Sequence, residues 1–449
     1  MTLRRSPWGI GALCLGVAGL SLLAPWAPTY DPWAWLVWGR EVAGLELDTS
    51  AGPAWKPLPV LVTTLLAPVG GAAPWLWLLL ARAGGLLALV LAFRLAARIA
   101  GASGGWFAGS VAVLGLLSTT GFLRGVAGGS SEGVLIALLL LAFERHLDGH
   151  RGQALGLAFA AALLRPEVWP FLGVYAVWLW RREPQARRLV AALLPLVPLL
   201  WFLPELWGSG DLLRSSERAQ IPNPGAPTLA DYPALEVVQR FVSMLVPPIA
   251  FAALGAAVLA LRRRETELLA LLAGTVGWLA LVALMSEAGY SGEQRYLLVA
   301  ASLASILAGI AAGRLFDVAA DRAPRAAAAS GVAALVGAAV LAVPAARTLS
   351  DELAYAADLR ADLAAAVDEA GGMERLQDCG PLYAGRARFP LIAWHADAHI
   401  SDLSLEPRLP GVALRSRLTP DEPAEPATPA GFALVARSGT WEVLTSCAT

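Results

Sequence analysis

Long apolar runs recur along most of this chain, and no other feature limits its possible folds so severely. A bilayer core about 30 Å thick takes roughly 20 apolar residues in a helix, because lipid offers no partners to unpaired backbone groups. Approximate runs lie at 8–25, 74–97, 105–121, 131–145, 153–164, 168–182, 189–206, 241–261, 267–286, 296–313 and 327–346. Only 15% of the 449 residues are charged, against about 25% in globular chains. The pattern predicts an all-α polytopic membrane protein of about 11 transmembrane helices.

Arginine placement sets the expected orientation. Arg4/Arg5, Arg94/Arg98, Arg145/Arg151, Arg181/Arg182/Arg187/Arg188, Arg262/Arg263/Arg264 and Arg314/Arg322/Arg325 fall at alternate ends of the runs. The positive-inside rule makes those ends cytoplasmic, with a cytoplasmic N-terminus in a multi-pass plasma-membrane protein. Residues 1–25 are read as a retained first span, since no small-residue cleavage site stands out before Tyr30. The net charge of −1 is uninformative, and no basic patch points to nucleic acid as a partner.

Apolar periodicity stops near 346, which divides the chain into a membrane domain (1–346) and a small extracytoplasmic α+β domain (347–449). The latter opens with the helical "LSDELAYAADLRADLAAAVDEAG", followed by strand-like "FPLIAWHA", "GFALVARSG" and "WEVLTS". Cys379 and Cys447 both fall there, free to pair or not, whereas Cys14 lies in the first run as inert packing.

The first outer loop, about 26–73, begins with "YDPWAWLVWGREVAGLELDTSAGPAWKPLP" (30–59). Its Trp33, Trp35 and Trp38 suit the headgroup level, and the following "LPVLVTTLLAPVGG" suits a helix lying at the interface. Asp31 before Pro32 fits a helix N-cap. The less favoured reading, compatible with the first, is a general base beside apolar surface. Lys56 is the chain's single lysine; every other long basic side chain is arginine. A compact ammonium suits a lipid phosphate, and the bland alternative is a snorkelling lysine. Arg295 and Tyr296 open the tenth run, as a helix anchor or as a phosphate clamp. Arg165-Pro166-Glu167 occupies an outer turn near hydrocarbon, where Arg165 should pair with Glu167 or Glu132, as a structural pair or as a site wall. Tyr30, beside Asp31, completes the candidate substrate-binding set. Arg82, inside the second run, needs a carboxylate or a water-filled cavity. "HADAH" (395–399) would line one strand face, for a metal or, more simply, for solvent.

Asp31, "WKPLP" at 55–59, "LLRPEVWPFL" at 163–172 and "QRYLLVAASLASILAG" at 294–309 come in an order that resembles the membrane-embedded GT-C glycosyltransferases. The layout is similar to the aminoarabinose lipid A transferase and protein O-mannosyltransferase branches over about residues 1–315, and a soluble outer C-terminal domain is similar too. The resemblance implies an inverting transfer of a sugar from a polyprenyl-phosphate donor to an extracytoplasmic lipid, glycan or protein acceptor. Asp31 would be the general base, while Lys56 and Arg295 would bind the lipid phosphate; no cofactor is certain and a divalent metal is possible. The chain departs from the family in having Asp31-Pro32 in place of Asp-Glu, so that Glu41, Glu46 or Asp48 would supply a second acid. It also has Lys-Pro-Leu-Pro in place of Lys-Pro-Pro-Leu. The rival classes are a transporter or flippase of lipid-linked saccharides and a non-catalytic scaffold for envelope assembly.

Overall fold

The computed structural model describes residues 7–101, 104–341 and 343–447; Arg4 and Arg5 of the orientation argument lie outside the described residues. The chain begins with α1 (Pro7–Ser21), α2 (Tyr30–Gly44), α3 (Pro57–Leu66), α4 (Ala73–Ala100), α5 (Gly105–Ser118), α6 (Phe122–Ala127) and α7 (Glu132–Leu147). It continues through α8 (Arg151–Ala162), α9 (Trp169–Arg182), α10 (Arg187–Ser209), α11 (Arg214–Ala219), α12 (Pro233–Met244), α13 (Pro247–Arg263) and α14 (Thr266–Glu287). Then come α15 (Gln294–Arg322), α16 (Pro324–Leu341), α17 (Val343–Glu369), α18 (Met373–Cys379) and α19 (Phe389–Ala396).

Among the described residues, four segments are long and apolar enough to cross a membrane: Pro57–Ala100, Pro184–Ser209, Thr266–Glu287 and Gln294–Arg322. A fifth is gained if α12 and α13, bent by 111° across Leu245-Val246, count as one span. Several other runs make short helices, such as α5 with 14 residues and α8 with 12. A 12-residue helix extends only about 18 Å, which is why length does not establish the expected count of about 11.

Helix α15 is the central element, buried along most of its apolar length. Its small residues allow close approach: a methyl added at Gly309 would run into the Ala108 carbonyl of α5. The expected partner of Arg82 is corrected here. Its guanidinium pairs with no carboxylate among the described residues and donates instead to the Ser21 carbonyl (2.9 Å), the Ser21 hydroxyl (2.9 Å) and the Ala127 carbonyl (2.9 Å). Freed carbonyls at helix ends supply the acceptors a buried cation requires.

The C-terminal part carries a mixed sheet of β1 (Leu382–Ala384), β2 (Leu403–Ser404), β3 (Gly411–Ser416), β4 (Ala433–Ser438) and β5 (Trp441–Ser446), in the order β2-β1-β3-β5-β4. β1 runs parallel to β2 and β3, and β5 is antiparallel to β3 and β4. Cys379 and Cys447 are disulfide-bonded. "FPLIAWHA" is helix α19, not a strand: Pro390 sits in its first turn and Asp397 ends it in a left-handed conformation. The division expected near 346 falls inside α17, and the buried core runs on from the helices into the sheet.

Candidate functional site

Five helix starts bring the charged residues together. Tyr30 and Asp31 lie in the first turn of α2, Lys56 is the N-cap of α3, and Glu132 is the first residue of α7. Arg165 and Glu167 belong to the 3-10 turn leading into α9, and Arg295 and Tyr296 to the first turn of α15. Asp31 is not the N-cap expected from the sequence; Thr29 holds that position. Lys56 is held out of helical conformation because Pro57 follows it.

Helices α2 and α3 pack closely through Gly39, where an added methyl would meet the backbone of Thr63 at 2.6 Å. The Thr63 hydroxyl donates to the Trp35 carbonyl (2.5 Å), locking the two helices in register. Trp33, Trp35 and Trp38 are at most 5% exposed. They pack inside the protein and not on a lipid-facing surface, because α3 and α19 cover α2.

One carboxylate oxygen, Oδ2 of Asp31, holds two cations: Arg295 Nη1 at 2.9 Å and Lys56 Nζ at 3.6 Å. Lys56 also donates to Ser131 Oγ (3.3 Å) and lies 4.9 Å from the Trp35 ring centroid. Arg165 is bonded to Glu132 and to Glu167 (3.3 Å), and stacks over Tyr296 at 4.2 Å. Glu293 contacts the Arg295 Nε at 3.3 Å. Arg165, Glu132 and Glu167 are thus closed upon one another in a buried group. Lys56 and Arg295 share Asp31 as a counter-ion, and Arg295, which Glu293 also meets, is the more open, with 41% of its side chain exposed.

Burial opposes ionisation of Asp31, but the Arg295, Lys56 and Arg165 charges outweigh it and hold the carboxyl below its usual range. Burial pulls Lys56 down, Arg165 reinforces this, and Glu132 and Asp31 only partly resist, leaving it at about 8. The group therefore offers two cations to an anion and keeps Asp31 ionised, and an anion that drew Lys56 and Arg295 away from Asp31 would make that carboxylate a stronger base.

Of the eight candidate residues, Asp31, Lys56, Glu132, Arg165, Glu167, Arg295 and Tyr296 meet in this region, while Tyr30 stands beside Asp31 with Arg218, Arg214 and Arg386 as its other charged neighbours. The acids considered for a second carboxylate do not join them. Glu41 lies near the other end of α2, bonded to His399 (2.9 Å), Asp48 accepts from Ser401, and Glu46 is exposed. Ser131 and the Trp35 ring were missed; the "SSEG" preceding α7 was the only hint of the former. Among the described residues no group of three or more His, Cys, Asp or Glu side chains could hold a metal ion, "HADAH" included. The acids of the site are already engaged by cations.

The architecture is similar to that of ArnT from Cupriavidus metallidurans. The crystal structure of that protein bound to undecaprenyl phosphate superposes with a TM-score of 0.59 at 15% identity, covering 98% of each chain. The apo crystal structure gives 0.57 at 15% identity over 97% of each chain. No family model matches the chain, and no curated protein does.

Proposed function

We propose that this ArnT-like membrane fold is a glycosyltransferase that moves a sugar from a polyprenyl phosphate to an acceptor hydroxyl or amine. The observation that carries the reading is the shared hold of Lys56 and Arg295 on Asp31, where a lipid phosphate would take the cations and leave the carboxylate beside the acceptor. The ArnT structure bound to undecaprenyl phosphate supports a donor of this chemical class. The bond from the anomeric carbon to the phosphate oxygen breaks, and its electrons pass to the departing phosphate. The acceptor oxygen or nitrogen bonds to that carbon from the opposite face, inverting it, and gives its proton to Asp31. Lys56 and Arg295 stabilise the charge that develops on the leaving group, the kind of preorganised electrostatics that lowers such barriers most.

Orientation follows from the same helices. α7, α9 and α15 present their N-terminal ends to the site and carry Arg145, Arg181/Arg182 and Arg314 toward their other ends. The positive-inside rule then makes the site and the C-terminal sheet extracytoplasmic. A flippase would want mobile charge near mid-membrane, yet Arg82 is fixed by carbonyls. The test is transfer of labelled sugar from a polyprenyl-phosphate donor by purified protein. Transfer should be lost in Asp31→Asn and strongly reduced in Lys56→Ala; undiminished transfer in both would remove the reading.

A further inference from the structure

The "HADAH" segment packs along the helix that carries Asp31 and grips its far end. Arg40 of α2 meets Asp397 at 2.7 Å and donates to the Ala398 carbonyl at 2.8 Å. His399 Nδ1 lies 2.9 Å from Glu41 Oε1, and Glu41 Oε2 accepts the Asp48 amide at 3.0 Å. The Ser401 hydroxyl donates to Asp48 at 2.5 Å, and Trp33 of α2 packs 6.3 Å from Trp394. Glu41 is 1% exposed. A carboxylate so buried requires its partners.

From Glu41 to Asp31 the helix runs ten residues, roughly 15 Å, as a stiff rod. A tilt of about 15° at the gripped end would move the first turn by roughly 4 Å. That exceeds what the 2.9 Å contact of Asp31 with Arg295 could survive. α3 supports one flank of α2, at Gly39 and Thr63, and the 394–401 segment supports the other.

We propose that His399, with Asp397 and Ser401, is a positioning group for Asp31, acting through α2, so that the C-terminal segment sets the carboxylate on Lys56 and Arg295. The inference rests on the reading of those two cations as a phosphate site.

The test separates positioning from stability with the full-length protein in nanodiscs. His399→Ala leaves the Glu41 charge without its partner and should lower Tm. The double variant Glu41→Gln/His399→Ala removes the orphaned charge, keeps an acceptor for the Asp48 amide, and should regain the lost Tm without regaining the grip. In that double variant kcat should stay down by about tenfold or more, as misplacement of a reacting group costs, with KM for the donor not raised. Its Kd for undecaprenyl phosphate should fall toward that of Asp31→Asn, since the cations lose their internal counter-ion. Recovery of kcat together with Tm, or a Kd equal to that of the wild type, overturns the proposal. A wild type that binds undecaprenyl phosphate and transfers no sugar removes the transferase reading alone and leaves Kd to decide. A wild type that does not bind it removes both.

Discussion

Asp31→Asn should bind polyprenyl phosphate more tightly than the wild type while transferring nothing. Asparagine keeps the shape of the side chain and removes the charge, so the lipid phosphate no longer competes for Arg295 at 2.9 Å and Lys56 at 3.6 Å. Charge-assisted contacts of this kind are each worth about 1.5–3 kcal/mol. Arg295 is 41% exposed and screened accordingly. The combined gain is therefore put at about 1–2 kcal/mol. That corresponds to a Kd lowered roughly 5- to 30-fold. Removing the direct repulsion between carboxylate and phosphate acts in the same direction. Equilibrium binding of undecaprenyl phosphate to protein in nanodiscs, at fixed salt, measures the effect beside transfer from the sugar-loaded donor. A Kd unchanged within about twofold, or weaker than in the wild type, would show that Asp31 does not restrain the cations and would refute the arrangement.

Lys56, at about 8, is charged below that pH and loses its charge above it, so kcat/KM should fall as pH rises through about 8. Lys56→Arg should carry that limb beyond pH about 10, at a lower maximal rate, as a pH profile of transfer will show. Glu132→Gln takes one of the two carboxylates from buried Arg165 and should cost about 3 kcal/mol, seen as a lower unfolding temperature in detergent. The same change removes an anion that supports the Lys56 charge, so the alkaline limb should also move to lower pH. Gly39→Ala forces its methyl against Thr63 and should cost about 1–3 kcal/mol with partial loss of transfer, whereas full stability and full transfer would show that α2 and α3 need no such contact.

Much of the site was legible because charge is costly next to hydrocarbon. Asp31, Lys56, Arg165 with its acids, and Arg295 each stood out against apolar surroundings, and they meet. What stayed hidden depends on tertiary neighbours. The tryptophans of α2 are as amphipathic as headgroup anchors, and only the covering by α3 and α19 puts them inside. "FPLIAWHA" is a short apolar run whose length suits a strand or a helix, and Pro390 decides for the helix. Arg82 finds carbonyls that become acceptors only once helices end beside it. The bond between His399 and Glu41 joins residues 358 positions apart, and no local pattern encodes it.

The convergence of five helix starts has an effect that no side-chain inventory captures. Every α-helix carries a partial positive charge at its N-terminus, equivalent to about half an elementary charge. With α2, α3, α7, α9 and α15 all beginning around one place, the backbone itself lays down a standing positive field there. The field belongs to the architecture, so it would outlast replacement of Lys56 and Arg295, leave a weak residual attraction for anions, and let other cations take over those positions in chains that keep only the fold.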